Sequence, residues 1–126
     1  MTVSYFEHFQ ALADLCLEES WVLEVAPFQG GAAFRIDAVL TERNPAYKEP
    51  NPGEVFTYQL CWLQVWGAES ELRLSGALPA VDASGEIDWG HIETFEAADA
   101  GWWELQGDWG ILRVREPSVA IEPDWT

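Results

Sequence analysis

Lysine occurs once in this chain of 126 residues, at Lys48, and the basic residues number six in all against 22 aspartates and glutamates. So little positive charge removes the means by which proteins hold phosphate backbones or anionic lipid surfaces. Neither direct nucleic-acid binding nor membrane-surface binding is therefore expected. Long apolar runs are missing as well, and nothing approaches the roughly 18 to 20 residues that a membrane-crossing helix needs. The opening MTVSYFEHFQ has no basic region and no uninterrupted apolar run. It does not read as a secretory signal, so the expected location is the cytoplasm. Cysteine appears only at Cys16 and Cys61, with no CxxC and no His/Cys spacing suited to zinc. Both read as buried free thiols.

What the chain does have is acid and aromatic surface together. Its formal net charge is −16, yet 48% of its residues are hydrophobic and eight are tryptophan. Chains this acidic stay disordered when they have too little apolar surface to bury. Here there is enough for a core, with the charge held outside it. At 14.2 kDa the length suits a single domain, residues 1–126.

Tyr5, Phe6, Phe9, Leu12, Ala13, Cys16 and Leu17 recur at three- and four-residue steps, the pattern of an amphipathic helix over 4–19. Ser4 and Glu7 have the form of a capping box at its start. Seven or eight short strands follow: 21–26, 32–41, 55–66, one around Leu72 and Leu74, and then 92–96, 102–106, 111–115 and 119–122. In the third of these, Phe56, Tyr58, Leu60 and Trp62 share a side. The expected fold is α+β, with the helix packed on a curled antiparallel sheet, half-barrel or barrel-like, of about seven strands. Residues 42–54, ERNPAYKEPNPGE, interrupt the alternation with three prolines and read as a stiff extended loop. Tyr47 is the lone aromatic there. Asp88-Trp89-Gly90 and Asp108-Trp109-Gly110 echo each other, which is ordinary turn chemistry with tryptophans packed over the sheet ends.

Catalytic motifs are absent: no GxSxG, Walker loop, HExxH or GxGxxG occurs, and His8 and His91 are the only imidazoles. A catalytic role is not expected, and no cofactor or metal is implied. Asp82, Ser84, Glu86 and Asp88 alternate like the ligands of a calcium loop. The sixth position, however, is Ile87 where that loop needs glycine, so a solvated turn is the expected structure.

The acidic stretch remains. From Glu69 to Asp108 there are ten acids and one basic residue, Arg73. One-signed patches speed association with an oppositely charged partner. The leading expectation is a small, non-catalytic protein-binding module that covers a basic protein. Glu86, Asp88, Glu93, Glu96, Asp99, Glu104 and Asp108 would supply charge, and Trp102 or Trp103, with Tyr47, would anchor the contact. In size and charge the chain is similar to small bacterial immunity proteins that neutralise toxins and to inhibitors that imitate the charge of DNA. That likeness is one of class, and no motif carries it. The alternative is a curled sheet enclosing a small-molecule pocket lined by Trp62, Trp66 and Phe56. A carboxylate-based hydrolase is a third reading. It would require two carboxyl groups about 5 Å, or 6.5–9.5 Å, apart in a cleft.

Overall fold

The computed structural model describes residues 4–75, 80–81 and 87–123. The expected 16-residue helix is not there. One turn, α1 (Tyr5–His8), ends where Phe9 turns extended at φ −107° and ψ 108°, and a 3-10 turn follows at Gln10–Leu12. The chain then enters β1 (Leu15–Phe28), a strand of 14 residues. The reason lies in which side chains are buried. Leu15 and Leu17 both point into the core, whereas on a helix they would diverge by about 200°, at about 100° per residue. The two-residue period of a strand seats both, and the long pairing with the next strand decides the outcome. The Ser4 side chain makes no capping bond.

The fold is correspondingly not one sheet under a helix. Strands β2 (Gly31–Leu40), β3 (Tyr58–Trp66), β4 (Glu69–Leu74), β5 (Ala80–Val81), β6 (Ile87–Asp88), β7 (Ile92–Ala97), β8 (Trp102–Gly107), β9 (Gly110–Arg115) and β10 (Ser118–Pro123) follow, with a 3-10 turn at Asp99–Gly101 between β7 and β8. They form two antiparallel four-stranded sheets, ordered β1-β2-β3-β10 and β4-β9-β8-β7, with β5 and β6 as a separate pair. No barrel closes. The C-terminal meander runs only through β7, β8 and β9, and then β10 crosses to pair with β3.

That crossing ties the layers together. Because β3 pairs with β10 and β4 with β9, the two strand pairs pass from one sheet to the other as one ribbon. It bends at Gly67, where a Cβ would collide with the carbonyl oxygen of Arg115 and lie 2.7 Å from Cγ1 of Val114. On the opposite side β1 meets β7 through the Trp21–His91 bridge, and the Val22 N–H donates to the Gly90 carbonyl at 2.8 Å. A bulge in β1 between Cys16 and Trp21 leaves β2 short of one partner. Ser20, the one buried polar residue described, fills the gap: its Oγ accepts from the Val39 N–H at 3.0 Å and donates to the Cys16 carbonyl at 2.7 Å.

The inner faces share one apolar cluster. Phe34 and Ile36 of β2, with Leu63 and Val65 of β3, face Leu105, Leu112 and Val114 of the other sheet. Trp109, in the turn between β8 and β9, is buried against Phe34 with ring centroids 4.8 Å apart. It fills the core instead of lying over a sheet end. At the N-terminus Tyr5 and Phe9 stack on Phe95, and Phe9 meets Trp103 at 4.8 Å, which pins the short turns onto the second sheet.

This sidedness predicts the response to truncation. Leu63→Ala should cost about 2–5 kcal/mol and Trp109→Ala about 3–5 kcal/mol in chemical denaturation. Trp66→Ala, on the outer face of β3, should cost less than about 1 kcal/mol. Equal losses at positions 63 and 66 would contradict the assignment of faces.

Candidate interaction surfaces

The outer face of the second sheet carries alternating columns of charge. Register sets Glu69 opposite Arg115 and Glu71 opposite Arg113 on β4 and β9, and Glu104 opposite Arg113 on β8. Arg115 reaches Glu69 at 2.9 Å, and Arg113 reaches Glu71 at 3.2 Å. The Arg113 Nε lies 3.0 Å from a Glu104 oxygen, an ion pair whose angle falls outside hydrogen-bond geometry. The Arg113 guanidinium also sits 4.9 Å above the Trp102 ring. Such exposed pairs are individually worth little, but two arginines engage three acids, leaving one negative charge over, and cover one tryptophan.

The residues singled out from sequence therefore part company. Trp102 is half-buried under Arg113, and Trp103 is buried in the core, as opposite sides of one strand require. Glu104 is engaged with Arg113. Glu93 and Glu96 of β7, and Asp99 in the turn after it, are exposed and have no ion pair among the described residues. Asp108 is exposed, and its carboxylate accepts weakly from the His91 N–H at 3.4 Å, joining the β8–β9 turn to the start of β7. Tyr47 is half-buried and packs on the core. Asp88 is described through its backbone pairing with Ala80. Glu86 lies outside the described residues, as do Asp82 and Ser84 of the calcium-like spacing.

Around Glu93 and Glu96 the carboxylates gather. Together with Glu18 of β1 they border a shallow cleft of about 170 Å³ beside Tyr5 and Phe6. The Tyr5 hydroxyl donates to Glu18 at 2.6 Å and accepts from the buried Leu17 N–H at 2.9 Å. Burial, and then the bond to Glu18, push this phenol well above the usual tyrosine range. The Cys16 thiol approaches the same Glu18 oxygen at 3.6 Å, and partial burial pushes it up. His8 is exposed, with its ring 4.9 Å from that of Trp103. Among the described residues no three His, Cys, Asp or Glu side chains are placed to hold a metal ion. No described helix is long and apolar enough to cross a membrane.

A second surface was not singled out from sequence. On β3, Cys61, Leu63 and Val65 point inward, so Tyr58, Leu60, Trp62, Gln64 and Trp66 face outward. Trp62 and Trp66 thus do not line an interior pocket. Both alternations of this strand are largely apolar, and hydrophobicity alone could not tell inside from outside. Phe28 stands in the Trp66 row across Gly31, and Ala26, Ala33 and Ala120 lie in the next row with Gln64. At the β2 end of this face, Asp37 sits under the proline-rich loop in a cleft of about 450 Å³ shared with Lys48, Glu49 and Glu54. Burial raises the Asp37 carboxyl above its ordinary range, and Glu54 adds to the effect. No family model, curated protein or solved structure matches the chain.

Because the folded protein holds the Asp37 proton more tightly than the unfolded chain does, this residue stabilises the fold at low pH. That contribution is lost as pH rises through the carboxylate range. Asp37→Asn should therefore raise the unfolding midpoint relative to wild type at pH 7, and the difference should vanish near pH 3. A variant less stable than wild type at pH 7 would refute the sign.

Proposed function

We propose that this chain is a small acidic, non-catalytic protein-binding module that covers a basic surface of a partner, in the manner of an inhibitor or immunity protein. One observation carries the reading: the surplus of carboxylates left over once the arginines are engaged. Arg113 and Arg115 are committed to Glu69, Glu71 and Glu104 on the second sheet. Glu93, Glu96 and Asp99 remain exposed along one edge, and the whole chain carries −16. A net charge of about 2–8 is ample for solubility in a small domain, so the excess favours steering toward positive charge. The proposed setting is the cytoplasm, in keeping with two free thiols. The proposed partner is a basic protein, since a net charge of −16 disfavours nucleic acid and anionic membrane surfaces.

The test is capture from lysate at low ionic strength, followed by kinetics with the purified partner. The triple change Glu93→Lys, Glu96→Lys and Asp99→Lys should slow association about tenfold or more in low salt and little in high salt. A basic partner whose binding ignores both salt and charge reversal would overturn the proposal.

A small-molecule reading has one observation in its favour. A cleft of about 210 Å³ opens between the inner face of the first sheet and the N-terminal turns, lined by Leu15, Ala38, Leu40 and Cys61 with the amides of Asn44 and Gln59. An apolar ligand bound there should raise the unfolding midpoint equally at low and high salt.

A further inference from the structure

We infer that the outer face of the first sheet is the docking surface, and that its occupant is a basic protein surface presenting an apolar side chain flanked by arginine or lysine. This rests on the proposed function and names where the contact is made. Tyr58, Trp62 and Trp66 recur every fourth residue along β3 and form an outward aromatic column. Phe28 on β1 extends the Trp66 row. In the row between those of Trp62 and Trp66, Gln64 is flanked by the small side chains of Ala26, Ala33 and Ala120, so the row is low on either side of it. A shallow depression of about 380 Å³ lies beside it, bordered by Phe28, Gln64 and Trp66.

Exposed aromatic side chains gather on this face. Phe28 at 43%, Tyr58 at 38% and Trp66 at 37% are large apolar side chains left partly in water. Aromatics in the middle with charge at the margin is the composition of an interface core. The second sheet offers the opposite: its outer face is a lattice of paired glutamates and arginines, with Trp102 already covered.

Charge decides the occupant. Glu24 and Glu122 close the two ends of the Trp62 row, about 14 Å apart across three gaps of about 4.8 Å. Asp37 lies in the row next to Trp62, in a cleft where Glu49 and Glu54 outnumber the one cation, Lys48. Arg35 stands between Glu24 and Trp62 in register and moderates this rim without reversing it. A second copy of the chain would set carboxylate rims against each other and join two bodies of −16. A cationic partner meets the same rim favourably, and its apolar side chain fills the low row between the aromatics.

The test uses a synthetic twelve-residue peptide of alternating arginine and leucine, with an arginine–serine peptide of equal charge as control, titrated by tryptophan fluorescence in low salt. Two variants each add one carboxylate: Ala33→Glu in the low row of the first sheet, and Gln106→Glu on the outer face of the second. A ligand held by charge alone would bind both variants as well as wild type or better. The inference expects Ala33→Glu to weaken the arginine–leucine peptide tenfold or more, Gln106→Glu to leave it within twofold, and the arginine–serine peptide to bind far more weakly than its partner. If Gln106→Glu alone weakens binding, or if neither variant does, the docking surface is elsewhere while the acidic-module reading stands. If neither peptide binds wild type, that reading itself fails. Sedimentation showing a dimer that Ala33→Glu abolishes would make the occupant a second copy and overturn the inference.

Discussion

Burial of one continuous apolar layer between the two sheets, where Phe34 of β2 meets Trp109 from the β8–β9 turn, is the constraint on which the rest of the structure depends. Each strand must then send alternate side chains inward and the rest to an outer face. The ribbon that bends at Gly67 and the β1–β7 contact hold the layers in place so that the inner sets meet. The acids have nowhere to go but outward. Bringing an unpaired carboxylate into this layer would cost several kcal/mol, so the charge of the chain and its core are two consequences of one pattern.

The two outer faces answer the same constraint differently. On the second sheet, glutamate and arginine columns alternate across β4, β9 and β8 and offset most of their charge, leaving the surplus of acids at the β7 edge. On the first sheet, β3 puts Tyr58, Trp62 and Trp66 outside, and its neighbours contribute alanine and glycine. Acids at the β7 edge would speed an encounter with a basic partner, and the aromatic face would slow its departure. Those are separable contributions to binding.

Much of this was legible in the sequence. Strands β2 to β4 and β7 to β10 lie close to their expected spans, because each is a short alternating run bounded by glycine, proline or aspartate, whereas the two-residue strands β5 and β6 had no expected span. The proline-rich segment carries no strand, as its missing donors require. Trp102 and Trp103 divide between outside and inside, as neighbours on a strand must. Residues 4–19 misled because Tyr5, Phe9 and Leu12 do share a side and are all buried, and Leu17 extends their helical stripe; Leu15, buried with it, does not fit that stripe and marks the change to a strand. Pairing with β2 settled the matter, and pairing is long-range. The aromatic face was missed for a related reason. With both alternations of β3 apolar, only the partner strands determine which set faces in. Which acids face an arginine is likewise fixed by register, so the pairing of Glu104 with Arg113 could not be read from spacing.

Solvent access to individual tryptophans tests this account most directly. The chain would be labelled with 5-fluorotryptophan, assigned by single Trp→Phe changes, and observed by fluorine NMR with a neutral, water-soluble gadolinium chelate. The account predicts strong broadening of Trp21 and Trp66, which are 38% and 37% exposed, and sharp lines for Trp103 and Trp109 at 6% and 2%. A protected Trp66 beside a broadened Trp103 would mean that the faces are assigned the wrong way round, and the docking surface would go with them.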